Sequence, residues 1–279
     1  MSGAHIRGKE YWQSEKANLI KLYQEENRRI PEIARMYHVC ESTIRNQLKG
    51  FGIHIKRGAE ARYNAKYNVN MHFFDQIDTE EKAWVLGFVL SDGHVSKKGH
   101  LMFAVQEGDI DILEKIKSAM QADAPITRKS NSPYYIFNIS SEFLCRRLRE
   151  IGLNNQKTEW FDFAKLLSNV PEELRHHLVR GMFDGDGSIR IYKYPYFKKH
   201  SYHFGYTGIK PVCDFIQGYF ALGTKMADEG NGYWTCVSSN HSVILNAYEK
   251  MYRDATVYGN RKHNTYLQMK EICSKEFAA

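Results

Sequence analysis

The sequence has no CxxC pair and no HExxH, and its five cysteines (Cys40, Cys145, Cys213, Cys236 and Cys273) are scattered rather than set at zinc-ligand spacing. An odd, dispersed set of thiols reads as buried cysteines in a reducing compartment. Among the twelve histidines no ligand spacing recurs, so the adjacent His176 and His177 read as surface helix residues. Long apolar runs are missing too. The run Trp84–Leu90, WVLGFVL, falls far short of the ~18 residues a membrane span needs. The stretch MSGAHIRGKEYW lacks an apolar signal region, so a soluble, intracellular protein is expected, with no membrane partner.

What is present is charge, unevenly placed. The 279 residues carry a net charge of +7. Residues 1–70 hold 13 Lys/Arg against 7 Asp/Glu, leaving 26 against 25 for the remainder. A polyanionic partner is implied mostly for the first part.

That part reads as a small all-α module. Apolar residues at helical spacing follow Ser14, an N-cap candidate, and RIPEIARMYHVCESTIRNQLKGFGI then has the spacing of a helix-turn-helix. A short helix Ile30–Met36, a turn at Tyr37–Val39 and a second helix from near Ser42 would pack through Ile33, Ala34, Val39, Ile44 and Leu48, with Gly50 as the stop. An unrelated helical hairpin would share this spacing; the charge favours DNA. Thr43, Arg45, Asn46 and Lys49 are the exposed candidates, Arg and Asn suiting base edges and Lys49 a phosphate. Residues 54–71 form a basic linker, either a plain tether or a segment whose Lys56 and Arg57 lie along DNA.

From Asp78 the chain is denser. Helix TEEKAWVLGFVLS, with Thr79 as N-cap, precedes strands 100–106 and 134–140, a helix between them and another after. About 94 residues later the order repeats, beginning with PEELRHHLVRGMFD. A duplicated α-β-β-α-β-β-α unit is expected, over 72–168 and 169–279, after a helix-turn-helix domain over 1–53. The fold class is α+β.

Aligned on their first helices, LGFVLSDGHV faces RGMFDGDGSI. Gly87 matches Gly181, Ser91 matches Gly185, and Asp92 matches Asp186. Each helix thus has a small-xxx-small face that permits close backbone approach. Two aspartates then meet at helix C-termini, where both the macrodipole and each other disfavour them. A divalent cation would reverse that cost, and paired carboxylates with water and phosphate oxygens describe a Mg²⁺ site for phosphodiester hydrolysis. An EF-hand reading fails, because its twelfth place from Asp184 is Pro195.

These paired motifs, with GLNNQKTEW and YRDATVYGNRKHNTY, resemble the LAGLIDADG homing endonucleases in their single-chain form, over about residues 73–272. The resemblance implies two pseudo-symmetric halves whose sheets form a DNA-binding saddle. It implies Asp92 and Asp186 as metal-binding catalytic residues, and Lys157 and Lys262 as basic residues approaching the attacking water or the scissile phosphate. Asp184 has Leu90 as its counterpart and reads as a turn or helix-end residue. Arg128, Lys129, Arg190, Lys193, Lys198, Lys199 and His203 are candidate DNA contacts, and the Tyr-rich run around them suits either a DNA-facing surface or a core. The expected protein is a monomeric, Mg²⁺-dependent, site-specific endonuclease acting on a long asymmetric double-stranded DNA target. The alternative is a non-cleaving DNA-binding regulator or an RNA maturase on the same fold. Because the second part is nearly neutral, its positive charge must gather on the DNA face.

Overall fold

The computed structural model describes residues 8–25, 28–55, 67–153, 162–196 and 199–278. Lys56, Arg57, Lys157 and Lys198 lie outside the described residues. Two compact units are present, Met1–Asn68 and Val69–Ala279.

In the first unit, α1 (Lys9–Ser14) and α2 (Lys16–Ile20) lead through a π-helical turn (Lys21–Glu25) to α3 (Ile30–Met36) and α4 (Glu41–Gly50). Ser14 ends α1 rather than opening a helix; its hydroxyl donates back to the Tyr11 carbonyl at 2.8 Å, the local bond that draws serine to helix ends. Trp12, Leu19, Ile33, Ala34, Ile44 and Leu48 form the core, with Val39 packed against it. The turn between α3 and α4 passes through His38 at φ 51°. Gly52, at φ 76°, carries the chain out of α4, whereas Gly50 is still helical. The helix stop therefore lies two residues beyond the expected glycine, where the left-handed conformation is needed.

The second unit begins with α5 (Glu80–Ser91), β1 (Gly93–Val95), β2 (His100–Gln106), α6 (Ile110–Ala119), β3 (Thr127–Arg128), β4 (Tyr134–Ser140), α7 (Glu142–Glu150) and α8 (Phe163–Ser168). It continues with α9 (Arg175–Asp186), β5 (Gly187–Tyr192), β6 (Ser201–Ile209), α10 (Lys210–Phe220), β7 (Ala227–Gly230), β8 (Tyr233–Ser238), α11 (His241–Tyr252) and α12 (Asn260–Ala278). The strands make two antiparallel four-stranded sheets, ordered β1-β2-β4-β3 and β5-β6-β8-β7. The same order in both halves is what the 94-residue sequence repeat implies.

Helices α5 and α9 pack on each other through the glycine faces. A methyl group on Gly181 would strike the Trp84 carbonyl, and one on Gly87 the Leu178 carbonyl and Met182 nitrogen. On Gly185 it would meet the Ser91 side chain. Only residues without a side chain, or with a small one, allow this approach. Residues Ala83 to Val89 are all buried, so α5 has no solvent face along that stretch. Thr79 caps α5 as expected, its Oγ1 accepting from the Lys82 N–H at 3.3 Å.

Candidate functional site

The two helices end together. Asp92 is the C-cap residue of α5, its N–H donating to the Phe88 carbonyl at 3.0 Å, and Asp186 is the last residue of α9. Asp92 is half-buried and Asp186 exposed. A methyl on Gly185, beside Asp186, would lie 3.0 Å from Asp92 Oδ2, which puts the first carboxylate at the end of the second helix. Tyr206, buried opposite Gly187 in the strand register, has its phenol raised well above its ordinary pKa, first by burial and then by charges that include those of Asp186 and Asp92. Among the described residues no cluster of three or more His, Cys, Asp or Glu could hold a metal by itself. Two hard carboxylate donors do fit a cation that takes its remaining ligands from water and phosphate, as Mg²⁺ does, and do not fit a closed structural zinc site.

Directly behind this carboxylate pair stands Lys262. It is buried, and its ammonium donates to the carbonyls of Phe183 (2.7 Å), Asp184 (2.8 Å) and Gly185 (2.9 Å). An ammonium has three protons, so all are committed to the last turn of α9. Lys262 thus caps the negative end of the helix that presents Asp186. Burial lowers its pKa to about 8, against the Asp184 carboxylate, which raises it. Lys262→Met should cost about 2–3 kcal/mol in urea unfolding, because three buried carbonyls lose a charged donor.

Asp184 is at the helix end, in the last turn of α9, and not in a turn beyond it. It is fully buried, and its Oδ2 accepts from Trp84 Nε1 and from the Gly259 N–H, both at 2.8 Å. Burial raises its pKa, opposed by these two bonds. One turn earlier, Arg180 has no solvent exposure and donates to Glu80 Oε1 (2.6 Å), the Met251 carbonyl (2.7 Å) and the Val257 carbonyl (2.9 Å). Glu80 in turn accepts from the N–H groups of Thr256 (2.7 Å) and Val257 (3.0 Å) and the Thr256 hydroxyl (2.7 Å). Burial pushes the Glu80 carboxyl up, but these bonds and the Arg180 charge outweigh it and hold it low. The segment from Thr256 to Lys262 is thereby docked along one side of the helix pair. Positions 94 residues away from Glu80, Trp84, Arg180 and Asp184 are Leu174, Leu178, Leu86 and Leu90. One side of the two-fold seam is therefore polar and its counterpart is all leucine.

His176 and His177 are buried rather than on the surface, because α9 is enclosed on the side where the Met251–Val257 chain reaches Arg180. Arg180 Nη1 donates to His177 Nδ1 at 2.7 Å, which requires a neutral imidazole protonated at Nε2. Burial, then the Arg180 charge, lowers the His177 pKa to about 4, and burial lowers that of His176. A folded pKa below the unfolded ~6.5 gives stability that is present above pH 6.5 and lost as pH falls toward 4. Urea unfolding at pH 7 and 4.5 should differ by on the order of 2 kcal/mol from this source, and His177→Asn, which keeps an acceptor but does not titrate, should reduce the difference.

Register and burial define the open face of each sheet. In the second half it carries Arg190 opposite His203, Tyr192 opposite Ser201, and Thr207 opposite Thr235, these last two hydroxyls 2.8 Å apart. Burial and then the Arg190 charge lower the His203 pKa. In the first half it carries His94, His100, Met102, Asn138 and Ser140. Arg128 is not on this face. It pairs with Tyr135, on the helix side of β4, with its guanidinium 5.9 Å from that ring and 3.9 Å from Glu107. Lys129, Lys193 and Lys199 are exposed in the hairpin turns, together with Lys97 and Lys98, which sequence reasoning did not single out. Exposed lysines thus sit in these turns, while the open faces of the strands between carry mainly neutral hydrogen-bonding groups.

In the first unit Arg45, Asn46 and Lys49 are exposed on α4 and Thr43 is half-buried. Arg45 lies 3.5 Å from Glu41. Cys40 is exposed, unlike the other four cysteines, because it occupies the N-cap position of α4. Bonds from Ser42 and Thr43 lower its pKa to about 7.

The fold of the second unit is similar to that of LAGLIDADG homing endonuclease structures. The family model described as the CENP-B N-terminal DNA-binding domain matches residues 14–50. Among solved structures, the LAGLIDADG homing endonuclease I-GzeII in complex with its DNA target matches at a TM-score of 0.50 and 15% identity, covering 71% of this chain and 92% of that one. I-LtrWI bound to target DNA matches at 0.49 and 14%, covering 75% and 94%. I-AabMI bound to uncleaved DNA matches at 0.48 and 14%, covering 69% and 91%. At such identities the likeness is one of fold. No curated protein sequence matches the chain.

Proposed function

We propose that this chain is a site-specific double-strand DNA endonuclease of the homing type, with its first unit extending the recognised sequence. The observation that carries this reading is the pairing of Asp92 and Asp186 at the joined ends of two glycine-packed helices. The acids that the seam between those helices buries are Glu80, paired with Arg180, and Asp184, bonded to Trp84, whereas Asp92 is half-buried and Asp186 exposed. Asp92 and Asp186 would hold Mg²⁺, which when bound supplies Lewis-acid stabilisation of the phosphate and an activated water. The chain's own part is to keep the two carboxylates together and ionised. Lys262 does this for Asp186 by offsetting the negative end of α9. The open sheet faces suit base reading in the major groove, and the lysines at the strand ends suit phosphates. DNA-bound neighbours of the same fold and a DNA-binding family match in the first unit support the same partner.

The halves differ in sequence, so the target should be long and asymmetric and the enzyme monomeric. The test incubates purified protein and Mg²⁺ with a plasmid carrying the uninterrupted sequence of its own genomic insertion site. Linear product with a staggered cut is expected; binding there without any cleavage overturns the enzymatic reading and leaves a DNA-binding protein that does not cut.

A further inference from the structure

The hairpin joining β5 and β6 carries exposed aromatic surface. Tyr192 and Tyr194 stack with ring centroids 6.0 Å apart and planes at 21°. Tyr194 is 47% exposed and Tyr196 is 96% exposed. Tyr192 lies on the open face of its strand, two positions from Arg190, whose guanidinium donates to the Tyr192 hydroxyl at 3.4 Å. The sequence from Gly187 to His200 has no acid, and exposed Lys193 and Lys199 flank the tyrosines. Glu276, bonded to His200 at the base of the hairpin, also feels the charge of Lys193.

We infer that this hairpin is a stacking platform for a nucleobase that has left the DNA duplex, with the lysines holding the flanking phosphates. The inference rests on the DNA-binding reading of the open sheet face. Aromatic rings offered to solvent beside cations are the arrangement that binds bases by their π faces. An apolar protein partner would not call for the cations. Stacking on one aromatic side chain changes binding by roughly five- to a hundredfold per base. Opening a paired base costs at least as much as one such stack recovers, so the platform selects a base that is already unpaired rather than extracting one. Tyr192 is six residues beyond Asp186, so the platform lies about 20 Å along the strand from the carboxylate pair, or about six base pairs. The site would therefore add recognition of local DNA disorder to one half of the target.

The test compares the full chain, in EDTA, on a 30-base-pair duplex bearing one extrahelical 2-aminopurine and on the same duplex fully paired, by fluorescence anisotropy and base quenching. The unchanged protein should bind the bulged duplex about tenfold more tightly and quench the 2-aminopurine. The double variant Tyr194→Ala/Tyr196→Ala should lose that preference while keeping its affinity for paired DNA within about twofold, and Tyr194→Phe/Tyr196→Phe should retain it. Equal affinity of the unchanged protein for the two duplexes overturns the inference, as does a preference that survives both alanines. Failure to bind either duplex overturns the DNA reading itself.

Discussion

Asp186→Asn is expected to slow DNA cleavage by at least about a hundredfold while changing DNA affinity by no more than about threefold. Asparagine keeps the shape of aspartate but cannot carry the charge that would hold a divalent cation. The side chain is exposed at the end of α9, so stability should move by less than about 0.5 kcal/mol. Single-turnover cleavage, anisotropy and urea unfolding separate these effects. Cleavage within tenfold of the unchanged protein, or loss of the fold, would remove Asp186 from the role proposed for it. Asp184→Asn is the natural control two residues away. Its carboxyl is buried and bonded to Trp84 and Gly259, so its effect should fall on stability.

The second large effect concerns the polar side of the helix seam. Glu80→Leu alone leaves the fully buried Arg180 without its carboxylate, and Arg180→Leu alone leaves Glu80 and two backbone carbonyls short of donors. Each should cost about 3–5 kcal/mol. The double variant installs what the chain already has at the equivalent positions, Leu174 and Leu86. It should recover at least about 2 kcal/mol of the summed loss, because a buried ion pair can be replaced by packed apolar side chains far more cheaply than it can be broken. Urea unfolding of the four proteins measures the coupling. Additivity within about 0.5 kcal/mol would mean that the pair does not act as a unit.

Much of this architecture was legible along the chain. The strands 100–106 and 134–140 and the helix Ile30–Met36 occur where periodicity placed them, since each is decided by neighbours a few residues away. The 94-residue offset also identified Gly87 and Gly181 as facing positions, because the close approach depends only on the absence of side chains. Legibility failed where the deciding contact was remote. The α12 helix has no expectation attached to it, because it follows the last helix of the expected repeat and its start reads only as part of YRDATVYGNRKHNTY. His176 and His177 looked like surface residues because a pair of histidines on a helix carries no local sign of what covers them. The scattered spacing reads all five cysteines as buried, but Cys40 is exposed because it is at a helix start.

By itself the sequence determined the order of elements, the duplication, the glycine faces and the two aspartates that end the paired helices. Those follow from backbone sterics and from side-chain period, which act within one or two turns of chain. Only the tertiary structure decided that Asp184 is spent on Trp84, a hundred residues away, that Lys262 caps α9 with all of its protons, and that the Thr256–Lys262 segment lies along one side of the seam. Burial and hydrogen-bond satisfaction are properties of what packs against a group, and for these residues the partners are brought together by the fold and not by the chain.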